Sequence, residues 1–188
     1  MKDPEILALG KYMPSDLSVS VSKSNRKIDS IIEGKLETIW ETKKKKADKN
    51  GQICYNGLSY RLNSLKKLEN KIALNFGIIE YRVRTGLVVI PEYFELSEEF
   101  YQKGCYTGAT VETSDGRYLM VELSEKSMNL NGIDLLGGIV ETKTGMQTGE
   151  DIFQSLYSEL EEEGCILKKD IKELYLRAIY RHHIPRMD

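Results

Sequence analysis

Cysteine, tryptophan and proline are all scarce in this chain, at three, one and four of 188 residues. Cys54, Cys105 and Cys165 are odd in number, widely separated and never in a C-x-x-C pair, which excludes a disulfide scaffold and a cysteine zinc site. An excess of one charge is lacking too. Twenty-seven Lys and Arg stand against 29 Asp and Glu, a net charge of -2, so no strong field draws nucleic acid or an anionic membrane. The longest apolar runs, such as the one from Leu87 to Pro91, fall far short of the ~20 residues that span a bilayer. The first residues, Met1-Lys2-Asp3-Pro4-Glu5, offer no apolar stretch of signal-peptide length. These absences predict a cytoplasmic protein with neither a nucleic acid nor a membrane as partner. The residues present are 40% hydrophobic and 30% charged, enough for a folded core. The length suits one domain, or one domain with a sizeable extension.

No internal repeat is visible. Residues 1–24, with Pro4, Gly10, Pro14 and several serines, read as an irregular lead-in. Ile28, Ile31, Ile32, Leu36, Ile39 and Trp40 follow helical spacing, and the helix ends in Lys43–Lys46, where cations suit the negative end of the dipole. Those lysines lack interleaved aromatics and read as a solvated end rather than a nucleic-acid patch. Ile53-Cys54-Tyr55, Asn56-Gly57 and Leu58–Leu62 read as a hairpin, because Asn-Gly supplies the positive φ angles of a tight turn. Ile72–Tyr81 reads as a strand, Leu87–Ile90 as a strand stopped by Pro91, and Glu95–Lys103 as a short helix closed by Gly104. Tyr106–Thr113 and Arg117–Leu123 flank Ser114-Asp115-Gly116 as a second hairpin. Ile133–Val140 is a strand interrupted by Gly137-Gly138, and Leu174–Tyr180 another.

The segment after Thr148 carries the most chemistry. Thr148-Gly149-Glu150-Asp151 has the form of a helix start. Ile152, Phe153, Leu156 and Leu160 make one apolar face, and Gly164 reads as the stop. Between Lys143 and Lys168 there is no cation but there are six acids: Glu150, Asp151, Glu159, Glu161, Glu162 and Glu163. Like charges at i, i+4 destabilise a helix by a few tenths of a kcal/mol each, and these crowd its negative end. At about 100° per residue, Glu159, Glu162 and Glu163 share one sector beside the apolar stripe, while Glu161 points elsewhere. Such a trio is suited to a hard divalent cation. It is equally the pattern of a solvated acidic face, and the helix alone leaves both readings open.

Upstream residues add a family resemblance. Gly137-Gly138-Ile139-Val140-Glu141, then Gly149-Glu150, then Ser158-Glu159-Leu160-Glu161-Glu162-Glu163-Gly164-Cys165-Ile166 resemble the Nudix box, G-x5-E-x7-R-E-U-x-E-E-x-G-U with U aliphatic. Glu150, Glu159, Leu160, Glu162, Glu163 and Ile166 fall in register with it. The departures are a lengthened spacer at Thr142–Thr148, Ser158 in place of the box Arg, and Cys165 in place of its second Gly. Tyr55-Asn56-Gly57-Leu58-Ser59-Tyr60-Arg61-Leu62, after a helix carrying Ile39-Trp40-Glu41, is similar to the extension of the Nudix enzymes that hydrolyse UDP-glucose. Those enzymes also carry an insertion inside the box and replace its Arg, and Phe153 and Ser155 fall where they have equivalents.

The resemblance implies an α/β protein with a Nudix-type α/β/α sandwich and mixed sheet at 105–188, its box at 137–166, preceded by an α+β extension at 1–104. It implies Mg²⁺ or Mn²⁺ as cofactor and hydrolysis of the pyrophosphate bond of a nucleoside diphosphate derivative, foremost a UDP-sugar such as UDP-glucose, giving UMP and sugar 1-phosphate. Glu159, Glu162 and Glu163 would be the metal ligands and catalytic carboxylates, with Glu150 a supporting ligand and Gly138 and Glu141 beside the substrate. Arg61, Arg82, Arg84 and Arg117 are candidate cations for the substrate phosphates. Alternatives are hydrolysis of an ADP-ribose-type substrate and a nucleotide-binding module that has lost turnover. His182-His183 would face opposite ways on a strand and share no ion, and Cys165 reads as packing. Only residues 167–188 follow Ile166, fewer than the sandwich ordinarily uses. The expectation is that the extension or a partner copy completes the sheet, giving a homodimer, or that the fold is shortened at its C-terminal end.

Overall fold

Ile72, Leu74 and Phe76 alternate onto one face of β4 (Ile72–Glu80), where each is buried. In the computed structural model, which describes residues 4–22, 28–51, 54–92, 104–122, 132–140 and 145–181, β4 is the centre of a three-stranded sheet. β2 (Leu17–Val21) runs parallel to it on one side and β3 (Leu58–Lys67) antiparallel on the other. The β3–β4 connection is tight, with the Leu68 amide donating to the Lys71 carbonyl at 2.8 Å. With three α-helices among the described residues and several small sheets, the protein is of mixed α/β class.

Two local expectations fail here for identifiable reasons. Asn56-Gly57 does not turn a hairpin. The Asn56 carboxamide instead serves α2 (Tyr81–Leu87), its Oδ1 accepting from the Arg82 amide at 3.0 Å and its Nδ2 donating to Glu80 at 2.6 Å. The other expected arm begins at Ile53, outside the described residues. Leu87–Ile90 is not a strand either: it is the end of α2 and the turn beyond it. Val83, Leu87 and Ile90 sit at i, i+4, i+7 and pack with Ile32 and Leu36 of α1 (Ser30–Lys49). The Asp29 side chain caps α1 by accepting from the Ile31 amide at 2.8 Å. Trp40, buried on the same helix, meets Tyr81 edge to face with centroids 6.2 Å apart. The helix expected at Glu95–Lys103 lies outside the described residues.

The described part of the lead-in, residues 4–22, forms strands and a turn and is not irregular. β1 (Glu5–Tyr12) pairs antiparallel with β11 (Leu176–Arg181), and a 3₁₀ turn at Pro14–Asp16 carries the chain into β2. β5 (Tyr106–Ala109) pairs antiparallel with β10 (Leu136–Ile139). The expected hairpin around Ser114-Asp115-Gly116 forms as β6 (Val111–Glu112) and β7 (Tyr118–Leu119), followed by β8 (Val121–Glu122) against β9 (Ile133–Asp134). α3 (Gly149–Gly164) follows the expected bounds, but the residue that leaves it is Cys165, at φ 52° in the left-handed region, and not Gly164.

The largest apolar cluster joins Ala8, Leu17, Tyr60, Ile72, Leu74 and Phe76 to Val140, Met146 and Phe153. Residues from both sides of position 104 therefore share one core. Among the described residues no helix is long and apolar enough to cross a membrane.

Candidate functional site

The strand period of β10 sets up the site. Leu136, Gly138 and Val140 alternate toward α3, and Leu136 and Leu160, each 2% exposed, meet in one cluster with Ala109. Leu160 thus fixes the helix against the strand, and Glu159 and Glu163 flank it. A Cβ on Gly138 would overlap the Glu159 carboxylate, so only glycine allows that carboxylate to lie on the strand. One residue back, the Gly137 amide donates to Glu163 Oε2 at 3.0 Å, and Gly137 holds φ at 153° with no room for a side chain against the Thr107 carbonyl. The expected Gly-Gly and two of the three expected glutamates are in contact.

β5 supplies residues that the sequence did not single out. The Tyr106 hydroxyl donates to the Gly137 carbonyl at 2.9 Å, and Thr107 Oγ1 lies 3.4 Å from the Gly138 carbonyl. Burial, and then the negative charges of Asp134, Glu163 and Glu159, push the Tyr106 phenol above its ordinary value. Its proton therefore stays in place to hold the glycine carbonyl at neutral pH. Nothing in the sequence marks Tyr106, because the pairing of β5 with β10 brings together residues some thirty positions apart, and Asp134 stands just before β10 on β9.

The remaining expected site residues separate into groups. Glu162 is exposed on the same sector of α3. Glu150 is on the opposite side at the start of the helix, about half a turn round from Glu159, and pairs with Lys168 at 3.5 Å. Lys168 also lies over the Tyr157 ring, 4.6 Å from its centroid. Glu150 is thus not gathered with the other glutamates. Glu141, His182 and His183 lie outside the described residues. Glu159 and Glu163 bring two carboxylates to the same stretch of backbone, oxygen donors of the kind a hard divalent cation takes, while the Gly137 and Gly138 carbonyls are engaged by Tyr106 and Thr107. Among the described residues no three Asp, Glu, His or Cys side chains are grouped so that they could hold a metal ion.

The four arginines differ in availability. Arg82 is held by Glu33 at 2.6 Å, Glu80 at 2.8 Å and Glu37 at 3.4 Å, binding α1 to α2 and β4. Arg117 is exposed at the β6–β7 turn and pairs with Asp115 at 3.1 Å. Arg61 is 2% exposed on β3, in an isolated antiparallel bridge with Gly104, and is engaged within the fold. Arg84 lies against the same glycine from α2.

All three cysteines are free thiols; burial pushes Cys105 up to about 12, which leaves it protonated, and Cys165 is exposed rather than packed. Ser158, where the box has Arg, is exposed and donates to the Gln154 carbonyl one turn back at 3.2 Å. No protein-family model matches the chain, and no curated protein is significantly similar to it.

Proposed function

We propose that this protein is a metal-dependent pyrophosphohydrolase of a nucleoside diphosphate derivative, foremost a UDP-sugar such as UDP-glucose, built on a Nudix-type α/β/α sandwich. The observation that carries the reading is the seating of Glu159 and Glu163 of α3 on the Gly137-Gly138 backbone of β10. It is the contact that a Gly-Gly lead and a glutamate-rich helix make if they belong to one site. Glu159 and Glu163, joined by Glu162 once its exposed side chain turns toward them, would hold Mg²⁺ or Mn²⁺, which supplies charge neutralisation of the phosphate oxygens and acidification of a bound water. Tyr106 keeps the glycine carbonyl fixed against its strand. Gly138 keeps the strand bare where Glu159 approaches.

A second reading, a nucleotide-binding module without turnover, is favoured by Ser158, which cannot brace the glutamates as an arginine would. Product release from UDP-glucose and ADP-ribose, with Mn²⁺ or Mg²⁺ and with EDTA, separates the two. The expected outcome is metal-dependent UMP release that falls at least 100-fold in Glu162→Gln, a loss of ~2.7 kcal/mol in transition-state stabilisation. No turnover of either compound by a folded protein would support the binding module, and preference for ADP-ribose would move the substrate class.

A further inference from the structure

Arg82 and Arg84 stand two residues apart on α2 with opposite surroundings. Arg82 is enclosed by three carboxylates. Arg84 forms no ion pair among the described residues. Its aliphatic stem runs over Gly104, where any Cβ would overlap Cδ, and its guanidinium carbon lies 5.5 Å from the centroid of the Tyr81 ring. Its Nε is shut off from solvent and makes no hydrogen bond among the described residues, while the residue as a whole stays partly exposed. A guanidinium keeps its charge at any ordinary pH. A partly desolvated charge with an unmet donor and no counter-charge is a cost that a bound anion would remove.

The location adds direction. Gly104 is bridged to Arg61 of β3, so two arginine-bearing elements meet at a residue with no side chain. From there the chain runs through Cys105, whose amide donates to the Tyr60 carbonyl at 2.9 Å, to Tyr106, whose hydroxyl reaches Gly137. Thr107 and Gly108, three and four residues beyond Gly104, pair with Gly138 and Gly137, where the carboxylates of α3 are seated. At the rise of extended chain the cationic position and those carboxylates are about 10–13 Å apart along this line, a span suited to the length of a nucleoside diphosphate derivative rather than to its two phosphoryl groups alone.

We infer that Arg84 is the anchor for a phosphoryl group of the ligand, which its planar fork can hold through two hydrogen bonds. The inference takes the ligand's class from the reading above, but the binding it describes needs no metal and no hydrolysis. The experiment is calorimetric titration in EDTA with inorganic pyrophosphate, UMP, glucose 1-phosphate and, as a neutral control, uridine. Wild type is compared with Arg84→Gln, Arg84→Lys and Arg82→Gln, each first checked for folding by its thermal melt.

The expected result is binding of at least one phosphoryl probe that weakens about tenfold or more in Arg84→Gln. Arg84→Lys should fall between, and Arg82→Gln and the uridine titration should move less than twofold. Tighter binding of UMP than of glucose 1-phosphate would assign the phosphoryl to the nucleotide half, and the reverse to the sugar half. Should Arg84→Gln not fold, Arg84→Lys decides alone, because an ammonium lacks the fork: threefold weakening supports the anchor and unchanged binding overturns it. No binding of any phosphoryl probe by wild type, or binding by folded Arg84→Gln within twofold of it, overturns the inference. Lost binding in Arg84→Gln together with no hydrolysis by wild type would leave the anchor standing and remove the hydrolase.

Discussion

At the scale of single residues, the helical period was enough to align Glu159 and Glu163, because 3.6 residues per turn fixes which side chains share a side. It could not assign Glu150, whose partner Lys168 comes from the turn beyond the helix. Nor could it supply Tyr106, which reaches Gly137 only because two distant strands pair. Cys165 shows a residue and a conformation in conflict. The chain needs a left-handed residue after α3, with the Cys165 amide donating to the Glu161 carbonyl at 3.1 Å, yet a side chain is present at φ 52°. That conformation costs a side-chain-bearing residue about 1 kcal/mol relative to glycine. Cys165→Gly is accordingly expected to stabilise the protein by about 1 kcal/mol, read as a rise in the urea midpoint at unchanged slope. A lower midpoint would show that the exposed thiol contributes something the backbone argument omits.

At the scale of elements, strong periodic segments behaved as the sequence implied, whereas of the two turn signals Ser114-Asp115-Gly116 formed its hairpin and Asn56-Gly57 did not. α1 and α3 present apolar faces with helical spacing and capping residues, and both form close to their expected bounds. Asn56-Gly57 carries a hairpin signature but is used to cap α2, because Val83, Leu87 and Ile90 gain more from packing on α1 than from an extended run. The start of α3 rests on Asp151, whose carboxylate accepts from the Gln147 amide at 2.9 Å and the Thr148 amide at 2.7 Å. Those bonds, together with one from the Thr148 hydroxyl, hold its pKa below the ordinary carboxylate value. A group whose folded pKa is lowered stabilises above its unfolded value and loses that contribution as pH falls through the folded one. Asp151→Ala is therefore expected to cost about 1 kcal/mol at pH 7. The gap to wild type should hold down to roughly pH 5 and close below about pH 4, which urea unfolding at several pH values would read. A gap that widened in acid would refute the capping account.

At the scale of the whole molecule, the least legible feature was how the two ends of the described chain meet. Residues 5–12 contain Gly10 and end near Pro14, so no local pattern announces a strand, and the partner strand lies at 176–181. Such pairing becomes worthwhile only when a core forms beneath it, and Ala8, fully buried, is the residue that joins β1 to the cluster of Phe76, Val140 and Phe153. The same segment steadies the candidate site. Gly149, the first residue of α3, packs so closely on the Pro14 carbonyl that a Cβ there would overlap it. Placing a carboxylate at Ala8 tests this arrangement, since an unpaired charge in that cluster has no partner and must be desolvated. Ala8→Asp is expected to destabilise by about 3 kcal/mol. Because residues before and after position 104 share that core, the loss should be felt throughout. The unfolding midpoint followed by Trp40 fluorescence, which reports the α1–α2 cluster, and the midpoint followed by far-ultraviolet circular dichroism should fall together. If β1 were an ornament on an independent core, the substitution would leave both midpoints where they were, and if the two clusters were separate folding units only one of them would move.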